Sequence, residues 1–236
     1  MLAPMLRAVR RPLTLGALAL VAVGALSGCG GIGQPKPYDS PGINGLVIPT
    51  PTPTPADFVD TVDNPWLALE PGSSRHYDVV DSGRTLGSID AEVAEATEEV
   101  AGLDATVVRT TTDIDGETSV DTRFFAQDED GNVWLVGADP ATGDAWRAGE
   151  GGAEAGLAMP ADPRLGDGWL AYVVPGLPQA STTIEDQSQQ VVQTRESGSA
   201  TTGSGEAGTT TRNMYEKGAG LVSVEDLDEG WIAVRD

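Results

Sequence analysis

Beyond Asp57, apolar residues fall at every second position in short runs, and Gly, Asp and Asn punctuate them. That is the period of a half-buried strand bounded by turns. The stretch TVVRTTTDIDGETSVDTRFFAQDEDGNVWLVG predicts three strands, with Asp115–Gly116 closing the first hairpin and Asp130–Gly131–Asn132 the second. Within it Phe125, Val133 and Leu135 alternate with polar neighbours. Arg75–Val80, Tyr172–Val174, Val191–Thr194, Arg212–Glu216, Leu221–Val224 and Trp231–Val234 read as further short strands. The stretch IDAEVAEATEEVAG (Ile89–Gly102) fits two patterns. Val93, Thr97 and Val100 suit a helical face, while Ile89, Ala91 and Val93 alternate as a strand does. A lone helix has no partner in an otherwise β chain, so the strand reading is preferred. Ser197–Thr210 (SGSATTGSGEAGTT) reads as a long flexible loop, as an excursion or a lid. The expected fold is mainly β, a curved antiparallel sheet or an open half-barrel.

The pattern before Asp57 is different. Arg7, Arg10 and Arg11 precede an uncharged run, Pro12–Leu26, with the charge order of a secretory signal. The run is shorter than the roughly 20 residues of a spanning helix. Leu26-Ser27-Gly28-Cys29 resembles the lipobox of bacterial lipoproteins. The resemblance implies a diacylglyceryl thioether on Cys29 and cleavage between Gly28 and Cys29. Two acyl chains suffice for stable anchoring. Pro12 and Thr14 fit a twin-arginine motif poorly, which favours the general secretory route. Residues 30–56 are rich in Pro, Gly and Thr, and their Pro-Thr alternation favours extended polyproline II. Thr50, Thr52 and Thr54 have the context of O-glycosylation acceptors, but the composition reads first as a bare spacer. The expected organisation is a signal over 1–28, a lipidated Cys29 and tether over 29–56, and a β-rich domain over 57–236. Its expected location is the extracytoplasmic face of the cell membrane.

Charge narrows the partners. All 36 acidic residues follow Gly28 while three of the 14 basic ones precede it, so the remainder carries a formal charge of −25. Such a surface disfavours nucleic acid and repels anionic head groups, leaving the acyl chains to hold the membrane. Lipidation consumes the one cysteine, so no disulfide is expected, and about 180 residues suffice for a hydrophobic core. His76, beside Ser73 and Ser74, is the one histidine, and no nucleophile-elbow motif accompanies it. No catalytic residue is assigned, and no cofactor is expected. One histidine and a lipidated cysteine do not make a zinc or copper site. DIDGE (Asp113–Glu117) and DEDGN (Asp128–Asn132) hint at calcium, but their Gly is fourth rather than sixth and no twelfth-position Glu follows. They read as hairpin turns, so no metal is expected. The five tryptophans, Trp66, Trp134, Trp146, Trp169 and Trp231, are spread singly, as core anchors or as the wall of a ligand site.

Four segments, DNPWLALEPGSSRHYDV, FFAQDEDGNVWLVG, MPADPRLGDGW and YEKGAGLVSVED, resemble in that order the motifs of a family of secreted actinobacterial proteins and lipoproteins. The resemblance spans most of Asp63–Asp236 and implies an exported β-rich domain with no assigned activity. The chain departs from it at His76, where an aromatic is usual, and in the Gly/Ser/Thr insertion. Two functions are expected: a carrier of an apolar or amphiphilic ligand, or an envelope module that binds a protein partner. A hydrolase, with paired acids or His76 beside Ser74, ranks third.

Overall fold

The computed structural model describes residues 53–199 and 209–236. The expected lipobox residues Gly28 and Cys29, the expected signal over 1–28, Thr50 and Thr52 lie outside them, while Thr54 is exposed. A single 3-10 turn, Pro55–Asp57, precedes the strands, and every strand pairing in the described chain is antiparallel. Its strands are β1 (Phe58–Val59), β2 (Ser74–Asp81), β3 (Arg84–Val93), β4 (Glu98–Val100), β5 (Leu103–Ile114), β6 (Glu117–Asp128), β7 (Val133–Asp139) and β8 (Trp146–Arg147). After them come β9 (Glu154–Met159), β10 (Gly168–Val173), β11 (Ala180–Gln187), β12 (Val191–Ser199), β13 (Thr209–Glu216), β14 (Gly220–Asp226) and β15 (Ile232–Arg235). Among the described residues no helix is long and apolar enough to cross a membrane.

Turn chemistry sets the local pairings. Asp115 (φ 51°) and Gly116 (φ 84°) are both left-handed, as a two-residue primed turn requires, and the β5–β6 register runs from Ile114↔Glu117 to Thr106↔Phe125. At the β6–β7 corner the Asp128 carboxylate accepts from the Asn132 backbone N–H at 2.8 Å, from Asn132 Nδ2 and from Trp134 Nε1 at 2.8 Å. The ambiguous stretch from Ile89 is strand through Val93, breaks over Ala94–Thr97, and resumes as β4. Ser197 pairs with Thr210 and Ser199 with Thr209, so the ends of the expected loop extend β12 and β13. Its middle, 200–208, lies outside the described residues. Strands β9 and β11 were not expected.

Pairing between distant segments shapes the whole. The order runs β7-β9-β10-β11-β12-β13-β14-β15-β2-β3-β5-β6, and β6 pairs back with β7. The sheet therefore curves in a ring. β15 pairs with β2, far from it in sequence, with Arg235↔Tyr77 and Ala233↔Val79 in register. Inward faces alternate strictly on several strands: Val192 and Thr194 on β12 are buried, as are Thr209, Thr211, Asn213 and Tyr215 on β13. One larger apolar cluster contains Trp66, Phe124, Trp134, Trp146, Leu157, Trp169 and Tyr172; a smaller one joins Tyr77, Val79, Ile89, Trp231 and Ala233.

Candidate functional site

Two adjoining chambers lie within the ring, of about 140 and 120 Å³. The larger is lined by residues of eleven strands, from Arg75 and Tyr77 on β2 round to Leu221 on β14, which places it inside the ring. Leu67, Leu69, Val108, Phe125, Leu135 and Leu157 make its apolar wall. The smaller is bounded by Ile89, Thr112, Asn213, Val224 and Trp231. Seven residues belong to both, among them Tyr77, Thr110, Arg123, Glu196 and Tyr215, so the polar side chains stand where the chambers meet.

Strand alternation explains how charges come to point inward. Val192, Thr194 and Glu196 share one face of β12, while Arg195 between them turns outward to Glu185. Arg123 shares the inner face of β6 with Phe125 and lies opposite Val108 of β5. Burial pushes the Glu196 carboxyl above its ordinary range, against the opposing pull of Arg123 and of a hydrogen bond from Asn213. Burial also drives the Tyr215 phenol strongly upward, and the Glu196 charge adds to it. Asp121, two residues before Arg123, is raised by burial as well, although its Oδ1 accepts from the Ala141 N–H at 2.8 Å. Arg123 and Glu196, part-buried, and Asn213 and Tyr215, buried, thus form a polar group between apolar walls. Thr112 Oγ1 and Asn213 Oδ1 are buried with no hydrogen-bond partner.

Of the five tryptophans, Trp231 lines the smaller chamber, with Nε1 bonded to Glu229 at 3.0 Å. Trp66 is buried beneath Lys217, whose Nζ lies 5.5 Å from its ring centroid. Trp134 and Trp169 are anchored in the core, by Asp128 and by the Leu157 carbonyl respectively. Trp146 packs on Tyr172 with ring centroids 5.5 Å apart and borders a separate hollow of about 350 Å³. Arg147 in that hollow is committed to Asp139 through two hydrogen bonds and lies 3.7 Å above the Phe124 ring.

The sequence motifs meet in space, and their joint is structural. Asn64 Oδ1 accepts from the Trp66 and Leu67 N–H groups, while its Nδ2 donates to Gly131 and Pro160 carbonyls. Gln127 Oε1 accepts from the Asp63 and Asn64 backbone, and Asn132 Oδ1 accepts from Ala161. The Gly218 N–H reaches the Pro65 carbonyl at 2.6 Å. The first three segments therefore hold one another through buried side-chain amides, and the fourth joins them through a backbone hydrogen bond. Asp128 spends its oxygens on that joint, and among the described residues no three His, Cys, Asp or Glu side chains are grouped to hold an ion.

His76 is exposed on the outer face of β2, with Nδ1 2.6 Å from Asp90 Oδ1 and Nε2 3.9 Å from Asp78. Ser74 shares that face, and Ser73 Oγ donates to the Glu70 carbonyl at 2.6 Å. Neither hydroxyl is bonded to the ring. The charges that line the cavity carried one sequence signal: Arg75, Arg123 and Glu196 each sit at an inward phase of an alternating run. Which of them face each other depends on strand order. Known protein families, characterised proteins and solved structures offer no match to this chain.

Proposed function

We propose that this protein is a lipid-anchored binding protein of the extracytoplasmic membrane face that holds one small amphiphile inside its ring. The observation that carries the reading is the cavity itself, apolar on most sides with a polar group at the junction of its chambers. Small-molecule sites have this composition: apolar walls supply affinity by desolvation and a few placed polar groups fix orientation. Each chamber is comparable with the roughly 150 Å³ apolar cavity that accepts benzene. Together they suit a short chain or a fused ring bearing a polar group. The lipobox at Leu26–Cys29 and the Pro/Thr tether support presentation of this ring at the outer membrane face.

The reading is tested with a neutral naphthylamine dye that brightens in apolar surroundings. The full chain is expected to bind it saturably, near one per chain. Ala91→Phe, which places a ring in the wall shared by both chambers, is expected to abolish binding with the β circular-dichroism signal kept. Equal dye binding by a folded Ala91→Phe chain would count against an interior site.

A further inference from the structure

The outside of this protein is acidic, but part of its inner wall is not. Arg75 lines the larger chamber two residues from Tyr77 on the same face of β2. Arg235 stands directly opposite Tyr77 in the β15–β2 pair, and directly opposite residues share a face. The two arginines are thus diagonal neighbours on one sheet face, Arg75 lining the larger chamber and Arg235 standing beside it, outside the lining of either chamber. Their guanidiniums converge on the same short backbone: Arg235 Nη1 donates to the Ala219 carbonyl at 2.6 Å, and a Cβ on Gly220 would lie 3.7 Å from Arg75 Nη2. Arg75 Nη2 donates to the Ala68 carbonyl at 2.7 Å.

Both bonds are to neutral carbonyls. Among the described residues neither arginine has a carboxylate in ion-pair range, whereas Arg147, Arg195 and Arg212 each have one. A guanidinium has five N–H donors, and the contacts above use one on each side chain. Part-buried cations without a counter-charge are costly, and 36 acidic residues offered ample opportunity to supply one. Burial raises the Tyr77 phenol between them, and the Arg75 and Arg235 charges both oppose that rise.

We infer that the bound amphiphile is an anion, its carboxylate or phosphate seated between Arg75 and Arg235 and its apolar part against Leu67, Leu69, Phe125 and Leu157. The inference rests on the carrier reading and adds the ligand's charge to it. Arginine suits either head group because its fork donates two parallel hydrogen bonds to paired oxygens.

The test compares dodecanoate, dodecyl phosphate and dodecanol as displacers of the naphthylamine dye from the full chain in nanodiscs of neutral lipid. At least one anion is expected to displace the dye at roughly tenfold lower concentration than the alcohol, as charge-assisted hydrogen bonds allow. The better anion identifies the head group as carboxylate or phosphate. Arg75→Gln and Arg235→Gln are each expected to remove that preference while leaving dodecanol displacement unchanged, and Arg75→Lys to keep part of it. An alcohol as effective as both anions on the wild-type chain overturns the inference and leaves the carrier reading standing. A dye that never binds overturns both. The wild-type comparison decides the matter even where a variant fails to fold.

Discussion

His76 has its ring committed to Asp90. The hydrogen bond that its Nδ1–H donates to Asp90 raises its pKa above the ordinary 6.5, desolvation opposes this, and the charges of Asp90, Asp236 and Asp78 add to the rise. A folded-state value above the unfolded one means that the protonated form is favoured on folding. This contribution is fully present below about pH 6.5 and is lost as pH rises through the folded-state value. The ring resonances of His76 are therefore expected to titrate above 6.5, and Asp90→Asn to bring the midpoint back down. A second position predicts the opposite kind of effect. Thr112 Oγ1 is buried without a partner, a cost that an isosteric methyl does not incur. Thr112→Val is expected to stabilise the fold by about 1 kcal/mol, read as a higher denaturant midpoint with an unchanged slope.

Turns and close strand approaches carry much of the architecture. Asp128→Ala removes the acceptor for Asn132 and Trp134 at the β6–β7 corner and is expected to destabilise by about 3 kcal/mol in chemical unfolding. Gly156 on β9 has no room for a side chain: a Cβ there would lie 1.9 Å from the Ala171 carbonyl oxygen of β10. Gly156→Ala is expected to cost about 2 kcal/mol or more, because the obstacle is backbone. These elements also show what the sequence reveals. Asp115–Gly116 and the Asp130–Asn132 corner were legible because their chemistry is local, and the Ile89–Val93 alternation read correctly as strand. Strands β9 (EAGLAM) and β11 (ASTTIEDQ) were not legible. The first is Ala- and Gly-rich because neighbouring strands press against it, and the second is largely polar on its outward face. In both, tertiary context overrides intrinsic preference.

In the intact molecule, the cavity depends on pairings that span the chain. Arg235 meets Tyr77 only because the last strand returns to β2, and Glu196 meets Arg123 only because β12 stands across the ring from β6. Nothing local announces either encounter, so neither the inward charges nor their grouping entered the sequence reading. The four motifs were visible as segments, yet their joint through Asn64, Gln127 and Asn132 appears only in the folded chain. The placement of Arg75 and Arg235 beside one another at the chamber is a property of the assembled ring. It predicts that a bound anionic amphiphile raises the melting temperature with its concentration, since binding to the folded state alone stabilises it by mass action. The decisive measurement is mass spectrometry of organic extracts from the wild-type chain and from Ala91→Phe, purified in parallel from an exporting host. Membrane lipid common to both is background. An amphiphile at about one per chain in the wild type and missing from the variant is the expected result; identical extracts from two folded proteins would contradict a ligand chamber inside the ring.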